Sequence, residues 1–107
     1  MNELVAKFLP RFVTSARAQM AKVNSWLARR DQAEKKNALR EMHSLKGDAG
    51  MLDLAEVAAL AKECEKEVAR LHAGSTDEEI EHVAAALRRL EALIAGIQAA
   101  HLSKTDT

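Results

Sequence analysis

The sequence predicts an all-α fold, an antiparallel up-down-up-down four-helix bundle with a short N-terminal capping helix. Three observations carry this. Hydrophobic residues make up 48% of the chain but aromatics only 3%, with Tyr absent, so much of the apolar content is alanine and leucine, which favour helix over strand. One Pro and four Gly leave few places for a helix to break. Along four long segments apolar residues recur at steps of three and four, the period of one helix face, and the short connections favour antiparallel neighbours. At 107 residues the chain suits one domain with one core. That domain is expected over residues 1–101, with a disordered tail over 102–107.

Residues 2–9 set Leu4, Val5, Phe8 and Leu9 at helical spacing. Pro10 follows, and Pro fits a first helical turn but breaks an interior, so a short leading helix and a restart near Pro10 are expected. The second helix carries Phe12, Val13, Ala16, Met20, Val23 and Leu27. "RRDQAEKK" closes it, with arginines suited to a C-terminus and Asp31 and Glu34 spaced as a capping box for the next start. The third helix is expected over 32–52, with Ala38, Met42, Leu45, Ala49 and Leu52 inward. Asp53 and Glu56 repeat the capping-box spacing, so Asp53 is expected to cap the fourth helix, lined by Val57, Leu60, Ala61, Cys64, Val68 and Leu71. "HAGSTDEE" is the clearest break: Gly74 suits a helix end, and Ser75 or Thr76 caps the last helix, whose first turn is acidic. Ile80, Val83, Leu87, Leu90, Ile94 and Ile97 line that helix, and "SKTDT" is expected to fray.

Sixteen Lys+Arg balance 16 Asp+Glu, which argues against a nucleic-acid binder working by bulk charge. The single cysteine, Cys64, permits no intramolecular disulfide and reads as a small buried residue in a reducing compartment. No apolar run reaches the ~18 residues of a membrane span. "MNELVAKFLPRF" lacks the pattern of a signal peptide. A cytoplasmic protein, monomeric and bound to neither nucleic acid nor membrane, is expected.

The stretch "HSLKGDAG", residues 43–50, stands apart. With the third helix's buried face centred on Met42, Leu45, Ala49 and Leu52, the step of about 100° per residue puts His43, Lys46, Gly47 and Gly50 together about 120° away. His43 then points to solvent in mid-helix, with Lys46 one turn on. Each glycine costs about 1 kcal/mol relative to alanine in a helix interior. Two on one stripe suit either close packing against a neighbouring helix or clearance beside the imidazole for an approaching macromolecule. Neutral imidazole is a good nucleophile near neutral pH, and a flanking lysine offsets the charge of a phosphoryl group.

"MHSLKGDAGMLDLAEVAALAKECE" resembles the histidine-containing phosphotransfer (HPt) domains of bacterial multistep phosphorelays. Their run is His, any residue, Leu, Lys, Gly, small residues, a Leu–Gly–Leu-like end, then a Glu about two turns into the following helix. His43, Leu45, Lys46 and Gly47 match it directly; Ala49 fits the small-residue run, Leu52 and Leu54 fit the hydrophobic ends, and Glu65 fits the later acidic position. "FLPRFVTSARAQMAKVNSWLARRD" resembles the family's second helix and its Asp-containing turn, so the resemblance runs from about residue 4 to 98. Asp48 departs where Ser or Ala is usual, and Asp53 where Gly is usual.

The resemblance implies that His43 accepts a phosphoryl group from a receiver-domain aspartyl phosphate and passes it to the aspartate of another response regulator. Lys46 would stabilise the group, and Gly47 would permit the approach. Leu39, Gly47, Asp48, Gly50 and Met51 are the expected partner contacts, with the charge of Asp48 tuning partner choice. The partners would be receiver domains of a hybrid sensor kinase and of response regulators, and they would supply the acidic pocket and Mg²⁺. This chain would need no cofactor of its own; it has no ATP-binding Gly-rich loop, so a carrier is expected, not a kinase. The alternatives are a non-catalytic helical-bundle interaction module and a metal-binding bundle. The second lacks the two E-x-x-H motifs such bundles use, with only Glu79–His82 at that spacing, and lacks inward carboxylates. His72 reads as a cation at a helix end, His82 with Glu78 as a solvated pair, and His101 as part of the tail.

Overall fold

A computed structural model describes residues 3–105, apart from the side chains of Leu4 and of residues 103–105. It contains four α-helices: α1 (Glu3–Arg29), α2 (Lys35–Met51), α3 (Ala55–Arg70) and α4 (Asp77–Thr105), with one turn of 3-10 helix at Gln32–Glu34. Each helix packs on the next in sequence, and α1 closes the ring against α4. Cross-helix bonds fix the antiparallel sense. Gln19 reaches Ser44 while Lys22 reaches Glu41, and Arg17 reaches Gln98 while Asn24 reaches Glu91. The result is an up-down-up-down bundle of 51 × 21 × 19 Å.

The apolar stripes read from the sequence meet along the axis. Val13, Ala16, Met20 and Val23 of α1, Met42, Leu45 and Ala49 of α2, Val57, Ala61, Cys64 and Val68 of α3, and Val83, Leu87, Leu90 and Ile94 of α4 are all buried. Among the described residues no polar or charged residue is buried with them. Trp26 joins this core and donates its indole N–H to the Asp31 carbonyl at 2.9 Å, tying the end of α1 to the following turn.

Several expected element ends are corrected. There is no separate leading helix: α1 runs unbroken through Pro10. Proline removes one helical N–H, but Val5, Leu9, Phe12 and Val13 on both sides of it are buried, and this continuous burial holds the helix together. Asp31 does cap, accepting from Ala33 N at 3.0 Å, but at the 3-10 turn; the Glu34 carboxylate takes the Asn37 amide instead of completing a box. Asp53 is not the cap of α3. It lies at φ 58°, one residue before Leu54, which occupies the cap position with no side-chain bond. Asp53 N donates to Gly50 O and Leu54 N to Ala49 O, the paired bonds of a Schellman ending, so Asp53 fills the left-handed position that closes α2.

Between α3 and α4, the helix stops at Arg70, short of Gly74. Lys35 Nζ holds that end, donating to the carbonyls of Ala69 and Leu71 at 2.6 and 2.7 Å. Thr76, not Ser75, caps α4: its hydroxyl accepts from Glu79 N at 3.1 Å and the Glu79 carboxylate accepts from Thr76 N at 3.0 Å. Those bonds hold the Glu79 carboxyl below the usual carboxylate range. The tail expected from residue 102 is helical through Thr105, and residues 106–107 lie outside the described residues.

Candidate functional site

The geometry of α2 sets the site. Met42 and Leu45 are fully buried, which turns the intervening His43 outward, its side chain 72% exposed in mid-helix. Lys46, one turn on, is half-buried against α3. Because α3 runs antiparallel to α2, Glu65 comes level with both. Its Oε2 lies 3.2 Å from His43 Nδ1, and its Oε1 accepts from Lys46 Nζ at 2.9 Å.

Burial pushes the Glu65 carboxyl up, but the hydrogen bond and charge of Lys46, with smaller contributions from His43, outweigh it and hold the group below the ordinary carboxylate range. An ionised carboxylate only accepts hydrogen bonds. Nδ1 of His43 therefore carries the proton it donates to Glu65, and in the neutral ring the lone pair resides on Nε2. One carboxylate thus fixes the tautomer of the imidazole and tethers a cation beside it.

The glycine stripe is open. A Cβ built on Gly47 or Gly50 would meet nothing within 4 Å, which removes close helix packing as the reason for either. Met51, further along, is 81% exposed. Asp48 is half-buried on the side facing α1. Leu39 leans on the core and is only partly exposed. Of the residues expected at the site, the structure brings His43 and Lys46 together, arrays Gly47, Gly50 and Met51 beyond them, and turns Leu39 partly inward.

A model of the Hpt domain matches residues 7–100. The chain belongs to the Hpt domain family. Histidine phosphotransfer in phosphorelays, in company with receiver domains, goes with Hpt membership. Comparison with curated proteins and with solved structures gives no match. The match spans all four helices of the Hpt fold and includes the whole His43–Met51 stripe.

Read from residues alone, Glu65 belongs to a solvated charged face; only the resemblance singled it out. Its coupling to both His43 and Lys46 follows from the α2–α3 register, which local spacing does not reveal. Phe8 and Arg11 of α1 also border the Met51 end of the stripe, brought there by the α1–α2 packing. The remaining histidines lie elsewhere. His82 Nε2 is 3.6 Å from Glu67 of α3, not paired with Glu78; His72 Nδ1 accepts from Gly74 N at 3.1 Å in the turn after α3; His101 is within α4. Among the described residues no group of three or more His, Cys, Asp or Glu is placed to hold a metal ion. No helix among them is long and apolar enough to cross a membrane.

Proposed function

We propose that His43 is the phosphoacceptor of a phosphorelay carrier, loaded from the aspartyl phosphate of one receiver domain and unloaded onto the aspartate of another. The observation that carries this is the exposed imidazole held through Nδ1 by Glu65, which leaves the Nε2 lone pair to attack phosphorus. In the forward step a P–N bond forms at Nε2 while the acyl-phosphate P–O bond breaks, and the receiver keeps its carboxylate. The phosphorylated ring retains its Nδ1 proton and gains positive charge, which the Glu65 carboxylate offsets. In this reading Lys46, one turn from His43, stabilises the phosphoryl oxygens, and the absence of any atom within 4 Å of a Cβ at Gly47 supports room for the incoming aspartate. The receiver supplies Mg²⁺ and the acidic pocket that holds it.

In this reading the upstream partner is the receiver domain of a hybrid sensor kinase and the downstream partners are response regulators. The carrier acts as a monomer in the cytoplasm. Incubation with a phosphorylated receiver tests it. Label is expected on the native chain and below detection on His43→Gln. Equal labelling of the two, or none of either, overturns the assignment and leaves an interaction module without chemistry.

A further inference from the structure

Lys35 stands where local rules disfavour it. It is the first residue of α2, and a cation at a helix N-terminus opposes the helix dipole. No acidic residue in the first turn of α2 offsets it. Its ammonium is committed to another helix. It forms no ion pair with any described residue, and it donates to Ala69 O at 2.6 Å and Leu71 O at 2.7 Å. At the end of α3 a cation is favourable, because the last carbonyls of a helix have no partners within it. Leu71, the residue that closes α3, is extended and not left-handed, so the local sequence supplies no glycine-type cap. A residue of α2 supplies the cap instead.

The link matters because α2 and α3 form a hairpin with one open end. Residues 52–54 join them at one end; at the other, α2 leads back toward α1 and α3 on toward α4. Among the described residues, the hydrogen bonds between these two helices beyond the turn are those of Lys35 and those of Glu65 with His43 and Lys46. Glu65 lies about 15 Å along α3 from the turn and one helical turn before Ala69. Pivoting the hairpin about its turn by roughly 4° would carry Glu65 about 1 Å away from α2 at that distance. That is enough to take contacts of 2.9 and 3.2 Å out of hydrogen-bond range.

We propose that Lys35 is a positioning residue for phosphoryl transfer: by clasping the open end of the α2–α3 hairpin it keeps Glu65 level with His43 and Lys46. The inference rests on the proposed phosphoacceptor role of His43. Lys35 lies about 12 Å along α2 from His43, so it acts through Glu65 and not on the reacting atoms.

The experiment compares the full native chain with Lys35→Met, which keeps the stem and loses the donor, and Lys35→Arg, which still donates. Val83→Ala, in the core stripe of α4, gives a chain of lowered stability with the clasp intact. Two quantities are read: the Glu65 carboxyl titration by NMR, and the saturating rate of His43 loading by phosphoramidate, which needs no docked partner. In Lys35→Met the Glu65 pKa should rise toward the ordinary carboxylate value. The saturating rate should fall about fivefold with half-saturation unchanged, the mark of a misplaced group and not of weakened binding. Lys35→Arg and Val83→Ala should keep both quantities near native. A Lys35→Met chain with its titration unmoved, or its rate within twofold of native, overturns the proposal. An equal response of Val83→Ala, which would mark general loosening, overturns it, and so does a Lys35→Arg chain as impaired as Lys35→Met. Failure of phosphoramidate to label even the native chain sinks the phosphoacceptor reading, and the role of Lys35 with it; native labelling with Lys35→Met unchanged sinks the role of Lys35 alone.

Discussion

At His43 the chemistry depends on which ring nitrogen keeps the proton, and that depends on Glu65 staying ionised. Lys46 is the main agent keeping it so, against the upward push of burial. Lys46→Met should therefore raise the Glu65 pKa toward the ordinary carboxylate value, and His43→Gln should raise it less; side-chain carboxyl NMR titration measures both. A depressed carboxyl contributes stability that is present above the unfolded pKa and lost as pH falls through the folded one. The acid limb of the native stability curve should accordingly flatten in Lys46→Met. On transfer, Glu65→Ala should slow loading about tenfold, while Glu65→Gln, which still accepts from Nδ1–H, should slow it less. Equal losses would mean that the carboxylate only packs. Much of this site is legible in the sequence, because His43, Lys46, Gly47 and Gly50 lie on one helix and helical spacing places them together. Glu65 is not legible from spacing, because its role needs the register between two helices.

Among the elements, the buried stripes are readable because the apolar period survives in every helix, whereas the ends are misread where backbone conformation outweighs local pattern. Asp53 has the spacing of an N-cap but sits at φ 58°, where it terminates α2. A left-handed non-glycine residue is strained, and Asp tolerates it better than most. Asp53→Gly should raise stability by about 0.5–1 kcal/mol and Asp53→Val should lower it by more than about 1 kcal/mol, both read from urea midpoints. If Asp53 instead capped α3, both changes would destabilise. Pro10 is the matching test at the other end. An exposed proline inside a continuous helix forgoes one backbone bond, so Pro10→Ala should stabilise by about 1–3 kcal/mol. A chain that broke its helix before Pro10, as the local pattern implies, would gain almost nothing.

Taken whole, the bundle buries no polar or charged residue among the described ones but does bury its one thiol, and Cys64 reports on that arrangement. Ala61, Cys64 and Val68 form part of the α3 stripe at the centre of the four helices, and Cys64 is fully buried. Its burial pushes the thiol pKa up to about 11, with Arg89 opposing and Glu63 and Glu67 reinforcing the shift. For an acid whose folded pKa lies above its unfolded value, the folded state holds the proton longer, so stability is intact below the unfolded pKa and falls as pH rises toward the folded one. The native chain should thus lose stability between about pH 9 and about pH 11 beyond whatever its lysines contribute. Cys64→Ala should be less stable at neutral pH, because it leaves a small void, yet shallower in its alkaline decline. Parallel declines in the two proteins would show that the thiol meets solvent in the folded state. Thiol labelling gives an independent measure: with the sulfur sealed among four helices, its denaturant dependence should match that of global unfolding, since only the open chain exposes a thiolate.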